Sequence, residues 1–258
     1  MKEWAVILGS SSGFGAAACR ELAKQGVNIY GIHLDRKGAM GSVNQFIDEL
    51  KSYNIDVYFN NMSATDADKR SKVIKELKSF DNIRVKILMH SIAFGTLKPV
   101  IDHDPSITLQ QRQVEMTLDV MASSILYWTQ DLFQAELLQK GSQIFAMTSS
   151  GGHRHWKSYG AVSAAKASLE SYCRQLAFEL SQYNIAVNAL QAGVTDTPAL
   201  RKIPENEKMI ELALKLNPGK RLTLPEDVAK IIVNIGLSEE TWLTGNTIRI
   251  DGGEDITG

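Results

Sequence analysis

The chain has 258 residues, 44% hydrophobic and 22% charged, with a formal net charge of −1. That length suits one α/β domain of about 250 residues with a sizeable core, and the near-neutral charge removes any electrostatic case for nucleic acid or an acidic membrane surface as partner. The two cysteines, Cys19 and Cys173, stand in no metal-ligand spacing and suit a reducing compartment.

The opening, Met1–Leu8, has too short an apolar run for a signal peptide. No apolar segment approaches the ~20 residues of a membrane span, so the expected location is cytoplasmic. In chain order, a strand at Trp4–Leu8 leads into a helix over Gly13–Gln25, and a strand at Ile29–His33 into a helix over Val43–Tyr53. The pattern repeats as strand Ile55–Asn60, helix Asp66–Ser79, strand Val85–His90 and one long helix over Gln111–Leu138. Strand Gln143–Thr148 and helix Tyr159–Gln182 follow, then strand Ile185–Leu190, helix Pro225–Leu237 and a last strand at Thr247–Asp251. Continuously apolar strands imply burial on both faces of a parallel sheet. Their alternation with helices predicts a single-domain, doubly wound sheet of about seven strands with helices on both faces. The stretch from Pro204 to Pro218 breaks the alternation; its apolar residues, among them Met209, Leu212 and Leu216, predict a helical lid within 198–218.

Two stretches carry chemistry. After the first strand, Gly9, Ser12, Gly13, Phe14 and Gly15 fall in a GxxxGxG turn that opens the first helix. A Gly-rich strand–turn–helix lets backbone approach a pyrophosphate and offers it helix N-terminal N–H groups. At the end of the second strand the position that usually carries an acid for the ribose of NAD is His33, and Arg36 and Lys37 follow. An Arg there suits the phosphate of NADP, so NADPH is the expected cofactor, while Asp35 keeps NADH open.

The second stretch runs from Ser149 to Lys166. An apolar strand delivers Thr148, Ser149 and Ser150 into a loop with Gly, His and Arg, and a helix begins near Ser158. Tyr159 and Lys166, seven residues apart, leave the same helix face about 10 Å apart along the axis. Both would reach one ligand lying along that face. A nearby ammonium would favour the ionised phenol. His153 and His155 read as solvent-facing loop residues, and His90, ending an apolar strand, as a hydrogen-bonded core or rim residue.

With the Gly-rich turn, a downstream Ser and a Tyr/Lys pair on one helix, the chain resembles the short-chain dehydrogenase/reductase family, over essentially its whole length and through Leu243–Gly253. Tyr seven before Lys, the run His90-Ser91-Ile92-Ala93-Phe94 and the run Ala165–Leu169 resemble the bacterial enoyl-acyl carrier protein reductase branch in particular. Commoner members carry Tyr four before Lys, where this chain has Val162, and an Asn on the central helix, where it has Met121.

The resemblance implies a Rossmann fold and a homotetramer. It implies Tyr159 on a thioester carbonyl, Lys166 on the nicotinamide ribose and Ser63 with Ala64 flanking the adenine. Ser91, Ile92 and Ala93 would line the cofactor path, with Phe94 and Gly95 beside the substrate. The loop from Ala192 to Thr197, with Gly193, Thr195 and Thr197, would receive the carboxamide. The acceptor would be an acyl thioester, on an acyl carrier protein or coenzyme A; Arg201 and Lys202, beside the lid, read as a solvated basic pair, with contact to an acidic carrier as the alternative. The branch's second Tyr falls on Ser149, which is also where carbonyl reductases place their catalytic Ser. A ketone or alcohol oxidoreductase using Ser149 and Tyr159 therefore stays open, as does a nucleotide-binding protein without turnover.

Overall fold

The computed structural model describes residues 1–257. Seven parallel strands, β1 (Lys2–Leu8), β2 (Asn28–His33), β3 (Val57–Asn61), β4 (Ile83–His90), β5 (Gln143–Ser149), β6 (Ala186–Ala192) and β7 (Thr247–Ile250), form one sheet in the order β3-β2-β1-β4-β5-β6-β7. The order reverses between β1 and β4, and such a reversal opens a crevice at the carboxyl ends of the strands.

Alternating side chains of β1 build the two faces. Trp4, Val6 and Leu8 point into a core shared with helices α3 (Ala67–Ser79), α4 (Gln111–Leu118), α5 (Ser124–Gln134) and α6 (Gly160–Leu180). Ala5 and Ile7 face a second core with α1 (Gly13–Lys24), α2 (Met40–Lys51) and α8 (Pro225–Gly236). The doubly wound architecture expected from the alternation is therefore present. Local signals set the helix ends: Asp66 accepts from Lys69 N at 3.0 Å to cap α3, and Pro225 occupies the first turn of α8.

Three expectations are corrected. The long helix over Gln111–Leu138 ends at Gln134 and carries a π-turn over Asp119–Ser123 between α4 and α5. Ser124 Oγ donates back to Val120 O at 2.8 Å, and so accepts from His90 Nε2, 2.9 Å away. Such back-bonding loosens the helical ladder. Burial on both faces fails at the sheet edges, where β3 is half exposed and Thr247 and Arg249 of β7 are exposed. The helix that follows Ser158 starts at Gly160, with Tyr159 outside it. The excursion after β6 does fold as a helix, α7 (Asn206–Leu216).

Candidate active site

At the phosphate end, β1 leads into α1 through a turn that only small residues can make. A Cβ on Gly9 would lie 2.4 Å from Ser91 O, and one on Gly15 would lie 2.1 Å from Gly9 O. Gly13 has φ +53°. Ser12 makes no side-chain cap bond among the described residues, so the first-turn N–H groups of α1 face the crevice without a protein acceptor of that kind. This is a cradle for an anionic group, and the residues fit a dinucleotide pyrophosphate.

Farther along the crevice, His33 is buried and its Nδ1 lies 2.8 Å from Asp35 Oδ2. Asn61 clamps the same turn, accepting from Asp35 N at 3.0 Å and donating to Asp35 O at 2.9 Å. Arg36 and Lys37 are exposed. Ser63 Oγ lies 3.0 Å from Thr65 Oγ1, and Ala64 is buried beneath it, where its carbonyl accepts from Trp128 Nε1. These residues sit at the ends of β2 and β3.

The catalytic end is a cavity of about 840 Å³ between the loop after β4, the loop after β5, the start of α6 and the segment carrying α7. Tyr159, Lys166 and Ser149 all line it. So do Phe14, Ser91, Ile92, Ala93, Phe94 and Gly95 from the near wall, and Gly193, Thr195 and Thr197 from the loop after β6. Gly9, Ser12, Gly13, Gly15, His33, Arg36, Ser63 and Ala64 lie outside this cavity, toward the α1 and β2 end. The candidate residues thus fall in two groups, one lining the cavity and one toward the α1 and β2 end.

Burial governs the charges. Lys166 is 6% exposed, and its Nζ donates to Met147 O at 2.6 Å. Burial pulls its ammonium down to about 8, with Glu170 acting against that trend. Tyr159 is pushed up by burial, offset in part by the Ser149 hydroxyl beside it. Lys166 has no part in that shift, so the expected ionisation of the phenol by the ammonium is corrected: Tyr159 is a neutral donor at physiological pH. Ser149 Oγ is buried without a hydrogen-bond partner among the described residues. It stands beside the phenol, lining the same cavity.

His90 is buried at the end of β4 and is pulled down to about 3 by burial and by Lys166, so it is a neutral core residue behind the cavity lining. His153 and His155 line the cavity from the loop; His155 is exposed, and His153 Nε2 lies 3.1 Å from Asp255 Oδ2. No cluster of three or more His, Cys, Asp or Glu is placed to hold a metal among the described residues.

Three contributors were not read from the sequence. Trp156 donates its indole N–H to Pro204 O at 3.0 Å and ties the catalytic loop to the segment before α7. Glu254 accepts from Val194 N at 3.2 Å and borders the cavity. Both contacts join segments far apart in the chain, so no local spacing announces them. Glu170 is one helical turn after Lys166, a spacing that does reveal it.

Comparison with known proteins gives a matching family profile, described as enoyl-(acyl carrier protein) reductase, over residues 9–254. A 3-oxoacyl-[acyl-carrier-protein] reductase of Thermotoga maritima is 25% identical over 251 residues, 96% of this chain and 96% of that protein. An enoyl-[acyl-carrier-protein] reductase [NADH] of Enterococcus faecalis is 28% identical over 170 residues, 66% of each chain. Among solved structures, the enoyl-[acyl-carrier-protein] reductase (NADH) of Aquifex aeolicus superposes with a TM-score of 0.85 at 21% identity, over 99% of this chain and 97% of that one.

Proposed function

From the premise that the chain belongs to the short-chain dehydrogenase/reductase family, within the enoyl-(acyl carrier protein) reductase group that its profile describes, we propose that it reduces the 2,3 double bond of an enoyl thioester. Membership makes it an oxidoreductase of a nicotinamide cofactor. The observation that carries the finer reading is the cavity itself. Tyr159 stands in it together with Phe94, Leu97, Ile203, Met209 and Leu212, an apolar lining that fits an acyl chain.

When bound, the cofactor supplies a hydride, which the acceptor takes at Cβ while Cα takes a proton. The chain's own work is to hold the oxygen on which enolate charge develops. The Tyr159 O–H, neutral because burial pushes it up, donates to that oxygen. Such a donor lowers the barrier by about 3 kcal/mol. Lys166 presents its ammonium on the same face for the nicotinamide ribose. Gly9, Gly13 and Gly15 let backbone reach the pyrophosphate. NADPH is the preferred cofactor in this reading, because Asp35 is engaged by His33 while Arg36 stays exposed at the ribose end. An acyl carrier protein as the donor of substrate is part of the same proposal; Lys202 is exposed beside the cavity, whereas Arg201 is paired with Asp196 at 2.7 Å.

The Ser149 hydroxyl beside Tyr159 favours a second reading, reduction of a 3-keto thioester with both hydroxyls on the carbonyl. The two readings separate in one experiment. NADPH and NADH oxidation is followed with a trans-2-enoyl thioester and a 3-ketoacyl thioester as competing acceptors. Consumption of the enoyl substrate supports the first reading. Consumption of the keto substrate alone, abolished in Ser149→Ala, replaces it with the second.

A further inference from the structure

Of the groups around Lys166, none bears a negative charge that acts on its ammonium, with one exception. From β4 it faces His90, held neutral by burial. From the catalytic loop it faces Tyr159, a neutral phenol, while His153 and Arg154 on the same loop are turned to Asp255. The π-turn packed on α6 carries Asp119, whose carboxylate accepts from Tyr127 Oη at 2.8 Å. On α6 itself, Cys173 is a neutral thiol, pushed up to about 12 by burial. The exception is Glu170.

Glu170 lies four residues after Lys166, about 6 Å along the α6 axis and on the same face. Its carboxylate is fixed from the opposite side of the cavity wall, because Thr148 Oγ1 donates to its Oε1 at 2.6 Å. Thr148 directly follows Met147, whose carbonyl accepts from Lys166 Nζ. The two side chains are therefore anchored to consecutive residues at the end of β5. Gly152 keeps the gap between them: a Cβ there would lie 3.0 Å from Glu170 Oε1 and 3.5 Å from Lys166 Cβ. Behind this gap is a second, polar cavity of about 300 Å³, lined by Glu170, His153, Gln191, Thr247 and Arg249. Glu170 thus has one side toward Lys166 and the other toward a polar, open space.

We infer that Glu170 is a positioning residue of the active site, the fixed counter-charge that keeps the buried Lys166 ammonium charged, with Thr148 holding it in place. The inference concerns the charge on Lys166 and rests on the proposed reading only where turnover is measured. Lys166 gives its hydrogen bond to Met147 O and not to Glu170, so the carboxylate acts through space. Burial alone drives a lysine toward its neutral form, and a neutral Lys166 would be a poor partner for a ribose hydroxyl and would no longer favour negative charge on the acceptor oxygen.

The test is an NMR titration of the Lys166 side-chain amine in the whole protein without cofactor, assigned with Lys166→Arg. Glu170→Gln removes the charge and keeps an acceptor for Thr148. It is expected to lower the Lys166 midpoint by about one pH unit, a tenfold change in the protonation constant. Glu170→Asp retains the charge and should restore most of the difference. The alkaline limb of the pH–rate profile should move with the midpoint. A Lys166 midpoint unchanged in Glu170→Gln, or lowered equally in Glu170→Asp, overturns the inference. If the midpoint moves while enoyl thioesters are not reduced, the substrate reading falls and the assignment of Glu170 stands.

Discussion

Lys166 shows how far single residues were legible. Its helical spacing from Tyr159 and Glu170 follows from the sequence, but its burial and its bond to Met147 O depend on how α6 lies across β5. Its pulled-down ammonium has a measurable consequence. Between about pH 8, the folded value, and 10.5, the unfolded one, the unfolded chain binds more protons at this residue, so stability gains with rising pH. Relative to Lys166→Met, the wild-type protein should gain on the order of 3 kcal/mol between pH 7 and 10.5. Chemical denaturation of both proteins across that range checks it. A difference that stays flat would mean the ammonium is solvated. The neutral phenol of Tyr159 was not legible, because desolvation cannot be read from spacing.

Elements were legible wherever hydrophobic period and turn chemistry agreed. The Gly-rich turn, the strand leading to Ser149 and the helix α7 all fall where the pattern places them. The break between α4 and α5 was missed because its cause is tertiary: Ser124 is drawn to His90 across the core. The tie between the catalytic loop and the segment before α7 was missed for the same reason, since Trp156 and Pro204 are 48 residues apart. Trp156→Phe keeps the ring and removes the indole N–H bond to Pro204 O, worth about 1 kcal/mol. The variant should raise KM for long acyl chains several-fold and leave kcat for a short-chain acceptor nearly unchanged. Steady-state kinetics over a chain-length series measures this, and equal effects at every length would deny α7 a part in binding the chain.

At the scale of the whole molecule, the parallel doubly wound sheet was readable, but its edges were not. Val57, Phe59 and Ile248 read as core strand residues, and they are only partly buried because β3 and β7 end the sheet. No described helix is long and apolar enough to cross a membrane. The outer surface carries Trp242, 95% exposed, with Leu243 beside it, and Phe178, 80% exposed on α6. Apolar groups this open commonly belong to an interface. The homotetramer implied by family resemblance is a proposal, and light scattering of the purified chain tests it. The expected mass is four chains, falling in Trp242→Glu if that surface is an interface; a monomer at micromolar concentration would contradict it.

The most direct test of the account is reduction of a trans-2-enoyl thioester by Tyr159→Phe, measured in single turnovers at saturating cofactor. Cofactor affinity is followed separately by fluorescence. The account predicts a loss of about 100-fold in rate with cofactor affinity unchanged, because the phenol O–H serves the acceptor oxygen and no group of the cofactor cradle. Turnover at the wild-type rate in Tyr159→Phe would contradict it, and would mean that another donor in the cavity holds the developing charge.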